Sequence, residues 1–254
     1  MASGLSDRVT QVQASVTLAI DAQAKELKAA GKDVVGFGAG EPDFPTIGHV
    51  GDAGKKALDA GDTRYGAKRG PELIDSIIRK FKADNGLTYG KTQIQLNVGA
   101  KQSCYNVCQA VLNAGDEAIV IAPYWVSYTE MVKLAGATPV VVKTAAADGY
   151  KVKPAALKAA LTPKTKLVIF NSPSNPTGAT YSPAETEAIA AALSGHDCWI
   201  LSDEIYEKLI YDGAPFKSIA AVSDEMYRRT ITVNGHSKRS EERRVGKECR
   251  YRWA

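Results

Sequence analysis

Nothing in these 254 residues approaches a membrane span: no apolar run nears the roughly 20 residues that a bilayer crossing needs. The polar start, Met1-Ala2-Ser3-Gly4-Leu5-Ser6-Asp7-Arg8, lacks the apolar stretch of a secretory leader, so the expectation is a soluble, cytoplasmic protein. Cysteines are few. Of the four, Cys104 and Cys108 share a helix face, but no further ligands stand nearby at zinc-like spacing, which leaves them as small core residues of a reduced compartment. Net charge is also slight. The formal +4 comes mostly from residues 239–254, where six Lys or Arg face three Glu, so the body of the chain has no basic footprint for nucleic acid. Nucleotide motifs fail in detail. Gly86-Leu87-Thr88-Tyr89-Gly90-Lys91-Thr92 has three residues between its glycines where a P-loop needs four. The alternate glycines at 36, 38 and 40 run into Pro42 and Pro45, which forbid the helix that a dinucleotide fingerprint must open.

What the sequence has is alternation. Apolar runs read as strands at 34–37, 94–98, 118–121, 139–142, 167–170, 198–201 and 230–233. Helical stretches are read at 21–28, 50–60, from Pro71 to about Asn85, from Gly99 to Gly115, and then at 127–135, 153–161 and 183–193. Strands separated by helices imply an α/β fold with a doubly wound, mostly parallel sheet and right-handed crossovers. There are no internal repeats and no low-complexity linkers.

Several loops at strand ends carry chemistry. Gly99-Ala100-Lys101 joins a strand to a helix start, where free N–H groups and the positive end of the dipole make an anion pocket, or simply a plain turn. Gly40 lies in a loop that either lets a ligand approach the backbone or merely turns tightly. Pro123-Tyr124-Trp125 and Asn171-Ser172-Pro173-Ser174-Asn175-Pro176 follow two further strands, and the last two strands end in Asp203-Glu204-Ile205-Tyr206 and Ser237-Lys238. Each is weak evidence alone: Trp125 suits a core, Asp203 an N-cap, Lys238 a solvated surface. Together they match a pyridoxal phosphate site, which needs an anion cradle, a carboxylate for the pyridine nitrogen, donors to the ring hydroxyl, and a lysine to hold the cofactor covalently.

The ordered segments 40–44, 123–128, 171–178, 202–206 and 234–238 resemble those of class I aminotransferases, with the likeness spanning about residues 5 to 238 and nearest to the bacterial-type aspartate aminotransferases of subgroup Iβ. That subgroup also includes prephenate aminotransferases. The resemblance implies a fold-type I large domain over 46–238, an N-terminal arm and small-domain segment over 1–45, and a C-terminal part beyond this chain. It implies that Lys238 carries the cofactor and moves the substrate proton, and that Asp203 pairs with the ring nitrogen. Tyr206 and Asn175 would bond the ring oxygen, and Gly99, Ala100 and Ser237 would cradle the phosphate. Trp125 would lie over the ring and Gly40 would meet the substrate carboxylate. Lys101 would contact a distal carboxylate or serve the phosphate field, and Tyr65 would reach the phosphate of a neighbouring subunit, which implies a homodimer. The implied reaction moves an amino group between L-aspartate and 2-oxoglutarate, giving oxaloacetate and L-glutamate. Prephenate, aromatic or alanine transamination is the alternative, and a non-catalytic regulator binding the same cofactor is a third reading.

Two departures stand out. His236 occupies a position where a small or aromatic residue is commoner, and residues 239–254 have no apolar periodicity. Those last residues closely resemble the translation of a sequencing-library adapter. They have no family character and are therefore expected to be a non-native tail, excluded from fold reasoning, and the chain to be an inactive fragment that lacks two arginine anchors.

Overall fold

The computed structural model describes residues 4–36, 38, 40, 45–63, 69–238 and 248–251. Helices α1 (Asp7–Thr10), α2 (Val16–Ala29), α3 (Gly48–Asp59) and α4 (Arg69–Asn85) precede the alternating part. It runs β1 (Gln95–Val98), α5 (Ala100–Val111), β2 (Glu117–Ala122), α6 (Ser127–Leu134), β3 (Thr138–Lys143), α7 (Pro154–Ala160), β4 (Thr165–Asn171), α8 (Pro183–Leu193) and β5 (Trp199–Asp203). After α9 (Asp224–Arg229) come β6 (Thr230–Gly235) and β7 (Glu248–Tyr251). The strands form one sheet in the order β1-β7-β6-β5-β4-β2-β3.

Pairing is parallel throughout β3-β2-β4-β5-β6, the expected doubly wound arrangement. Neighbouring residues of these strands point to opposite faces, and both faces are covered. Val120, Ile169 and Leu201 pack with Val107 and Cys108 of α5 and Val132 of α6. Ile119, Val168 and Ile200 pack on the other side with Leu157 of α7 and Ile189 and Leu193 of α8. Burying each such side chain is worth about 1.5–3 kcal/mol, so the strands that carry the site's loops are also the most strongly anchored. Cys104 and Cys108 are core residues, as expected.

Several expectations need correction. Val34–Gly36 is not a strand, because apolar character alone makes no ladder and no described strand pairs with it. Helix α5 stops at Val111 rather than Gly115: Leu112 is extended, and the Asp116 carboxylate accepts the Asn113 N–H at 2.7 Å to fix a turn there. Helix α9 is too short to show a periodicity. Residues 248–251, in the segment set aside from the fold on sequence grounds, form β7, antiparallel to both β1 and β6. A ladder needs backbone groups rather than particular side chains, and without β7 the facing edges of β1 and β6 would leave their N–H and C=O groups unpaired.

Candidate active site

Strands β5 and β6 lie side by side with Asp203 opposite Val233, so the loops after them leave the sheet at the same edge. Their carboxyl ends are where open α/β sheets hold ligands. Asp203 ends β5 and is only 2% exposed. Its Oδ2 accepts the hydroxyl of Tyr128 at 2.6 Å and, more weakly, the thiol of Cys104 at 3.8 Å, while Oδ1 accepts the N–H of Ile205 at 3.2 Å. Burial pushes the Asp203 carboxyl above the usual range, and the hydrogen bond from Tyr128 opposes that push. Tyr128, itself buried beside this acid, has its phenol pushed well above the ordinary tyrosine value.

The loop after β4 is built around Asn171. Its Nδ2 donates to the backbone carbonyl of Asp203 at 2.9 Å, and its Oδ1 accepts the N–H of Asn175 at 2.8 Å. This brings Asn175 Nδ2 to 3.4 Å from the Tyr206 hydroxyl. Burial, with the nearby Asp203, pushes the Tyr206 phenol up. Asn175 and Tyr206 thus converge as the sequence predicts, through Asn171, which sequence reasoning left without a role.

Gly99 caps the start of α5 at φ 87°, a left-handed conformation that glycine adopts without strain, and Ala100 is the first helical residue. The Lys101 ammonium stands 5.1 Å over the Trp125 ring, and that ring meets Tyr128 edge-on at 5.3 Å. Lys101 also lines a cavity of about 620 Å³ between residues 12–16, α5 and α6, where Glu130 is the other charged wall residue among those described. Lys238 lies beyond β6 and its ammonium donates to the backbone carbonyl of Gly40, bringing together two predicted residues that are far apart in the chain. Ser237 is half-buried just before it. Tyr65 lies outside the described residues.

Tyr128 and Cys104 are the contacts of Asp203 that sequence reasoning left without a role. Tyr128 is 75 positions from Asp203 and Cys104 is 99, so only the fold brings them together. Among the described residues no Lys or Arg pairs with Asp203, which leaves a buried acid served only by neutral donors. Such a site suits a cationic nitrogen.

Known proteins resemble this chain in sequence and in fold. The aspartate/prephenate aminotransferase of Cereibacter sphaeroides is 50% identical over 236 residues, covering 92% of this chain and 59% of its own length. The aspartate aminotransferase of Geobacillus stearothermophilus is 50% identical over 235 residues, covering 92% and 60%. Among solved structures, the aspartate aminotransferase from Thermus thermophilus with maleate superposes with a TM-score of 0.91 at 41% identity, covering 99% of this chain and 65% of that one. The chain thus spans about 60% of the length of the curated relatives it matches. Residues 32–240 match the family described as aminotransferase class I and II, and with that match over most of its length the chain belongs to this family.

Proposed function

We propose that the protein to which this chain belongs transfers an amino group from L-aspartate to 2-oxoglutarate, releasing oxaloacetate and L-glutamate, with pyridoxal 5'-phosphate held on Lys238. The observation that carries this reading is the Asp203 carboxylate, buried at the sheet's edge with three neutral donors and no cationic partner among the described residues. That donor set fits the protonated ring nitrogen of the cofactor. When bound, pyridoxal phosphate supplies an electron sink for the pair released at the substrate's Cα.

The chain's own residues do the rest. Asp203 would keep the ring nitrogen protonated. Tyr206 and Asn175, already within 3.4 Å of each other, would direct hydrogen bonds at the ring oxygen. Gly99, Ala100 and Ser237 would hold the phosphate at the start of α5, where free N–H groups favour an anion. Trp125 would cover the ring, and the Lys238 amine would take the proton from the substrate's Cα. Gly40 would present its backbone to the substrate's α-carboxylate. The cavity beside Lys101 suits a side chain ending in a carboxylate, which its ammonium would meet. The Cereibacter relative, an aspartate/prephenate aminotransferase, favours prephenate as a second substrate. The same family reading carries a homodimer, to which Tyr65 would contribute across the interface, and a cytoplasmic location.

Borohydride reduction of the cofactor-loaded protein followed by peptide mapping tests the reading. The label is expected on Lys238, and a label on another lysine would overturn the assignment. A panel of amino donors given to the complete protein separates aspartate from prephenate, aromatic and alanine specificity.

A further inference from the structure

A second buried charged cluster lies behind the turn that carries Asp203 and Tyr206. Side chains along an extended segment alternate in direction. Asp203 meets Tyr128 of α6, while Glu204 shares the side of Ser202 and meets different partners. Glu204 is 1% exposed. Its Oε1 accepts two hydroxyl hydrogens, from Ser202 at 2.9 Å and Ser218 at 2.6 Å. Its Oε2 is buried with no partner among the described residues.

Glu207, one turn further on, is also buried, and it is ion-paired with Lys80 of α4. Its Oε2 accepts the side-chain amide of Asn85 at 2.8 Å, and its N–H donates to the Glu204 carbonyl at 3.0 Å, closing the turn. Two buried carboxylates on one turn therefore face a single ammonium, which Glu207 already engages. Asp84 of α4 and Lys208 pair with each other at 3.0 Å at the rim, with Asp84 3.9 Å from Lys80, and the 213–218 segment brings only the Ser218 hydroxyl to Glu204 among the described contacts. An ionised Glu204 would be a second buried anion with one oxygen unpartnered, the costliest state available to it. A retained proton removes the buried charge, the larger part of that cost.

We propose that Glu204 is a positioning residue held as the neutral carboxylic acid, and that with Glu207 and Lys80 it fixes the turn bearing Asp203 and Tyr206 to the C-terminal part of α4. Burial and the neighbouring Glu207 push Glu204 up to about 7, against the pull of the Ser218 and Ser202 hydroxyls. Burial likewise draws the Lys80 ammonium down, against the pull of Glu207. A carboxyl whose folded pKa lies above its unfolded value holds a proton that the unfolded chain releases. Its contribution to stability is complete below an ordinary glutamate pKa and is lost as pH rises through about 7. The charge that then appears behind the turn loosens the hold on Tyr206.

Infrared difference spectroscopy on the chain without cofactor tests the proton. A protonated-carboxyl band is expected to titrate away around pH 7 and to be missing in Glu204→Gln. A wild-type chain with no titrating band, or the same band in the variant, would overturn the proposal. Should Glu204→Gln fail to fold, Ser218→Ala serves instead: losing a donor to the charged form must raise the band's midpoint, and an unmoved midpoint refutes the idea. The positioning role rests on the cofactor reading and is read by titrating pyridoxal phosphate into both proteins between about pH 6 and pH 8. The ratio of Glu204→Gln to wild-type affinity is expected to rise severalfold with pH, because only the wild type gains the buried charge. A ratio flat across that range overturns the positioning role. Failure of the wild type to bind pyridoxal phosphate at all would sink the proposed function and leave the infrared result standing.

Discussion

Asp203 shows how one side chain's chemistry depends on neighbours distant in the chain. Burial alone would favour its neutral form, which cannot hold a proton on a ring nitrogen. The Tyr128 hydroxyl at 2.6 Å favours the charged form instead. Tyr128→Phe deletes that donor and leaves the ring's packing against Trp125, so the Asp203 carboxyl moves further up. A hydrogen bond to a charged group is worth about 1.5–3 kcal/mol, so pyridoxal phosphate affinity should fall roughly tenfold or more. The deficit should widen as pH falls, since the variant's Asp203 protonates first. Absorbance titrations of both proteins across a pH series check this, and equal affinities at every pH would refute the role of Tyr128. In the sequence Asp203, Tyr206 and Lys238 stood out only jointly, as residues in loops after strands whose types together match one cofactor's needs. Tyr128, Cys104 and Asn171 did not, because their roles arise from contacts that the chain order conceals.

Among the elements, the strands were the legible part and the helix ends were not. Val168-Ile169-Phe170 and Ile200-Leu201 had to be strands buried on both faces, since every residue of each run is apolar and the runs are too short for helices. The end of α5 hid behind a local competition, in which the Asp116 side chain captures the Asn113 N–H and Leu112 turns extended. The start of α5 was clear because Gly99 stands between strand and helix, and its φ of 87° explains the residue there. Gly99→Val forces a β-branched residue into left-handed backbone, a strain of order 1–3 kcal/mol. The start of α5 must then shift. Affinity for pyridoxal phosphate, and for inorganic phosphate competing with it, is expected to drop together by about tenfold or more, since 1.4 kcal/mol is a factor of ten. Unchanged competition by phosphate in Gly99→Val would place the anion cradle elsewhere. Strand β7 belongs among the elements that side chains did not announce, because its ladders to β1 and β6 run through the backbone.

At the scale of the molecule, the groups proposed to hold the cofactor are more fully present in the described chain than those proposed to meet the substrate. Asp203, the Asn175–Tyr206 pair, the start of α5 and Lys238 all come from the sheet's edge. The groups proposed for the substrate side are Gly40 and the cavity beside Lys101, and next to that cavity Val16 and Ile20, one turn apart on the same side of α2, are 63% and 52% exposed. Contiguous apolar side chains on a surface mark a face that something else covers. The relatives are longer by the remaining two-fifths of their length, and we propose that a corresponding part covers this face and supplies further groups for the substrate's carboxylates. Binding of the cofactor and turnover should therefore separate. The 254-residue chain is expected to take pyridoxal phosphate on Lys238, to bind a hydrophobic dye at the α2 face, and to transfer no amino group from L-aspartate to 2-oxoglutarate. The complete protein is expected to bind the cofactor, to lose most of the dye signal, and to turn over. Replacing Val16 and Ile20 with serine in the 254-residue chain distinguishes that face from other apolar surface, since the dye signal must fall while cofactor binding persists. Measurable transamination by the 254-residue chain would show that its own residues already complete the substrate site.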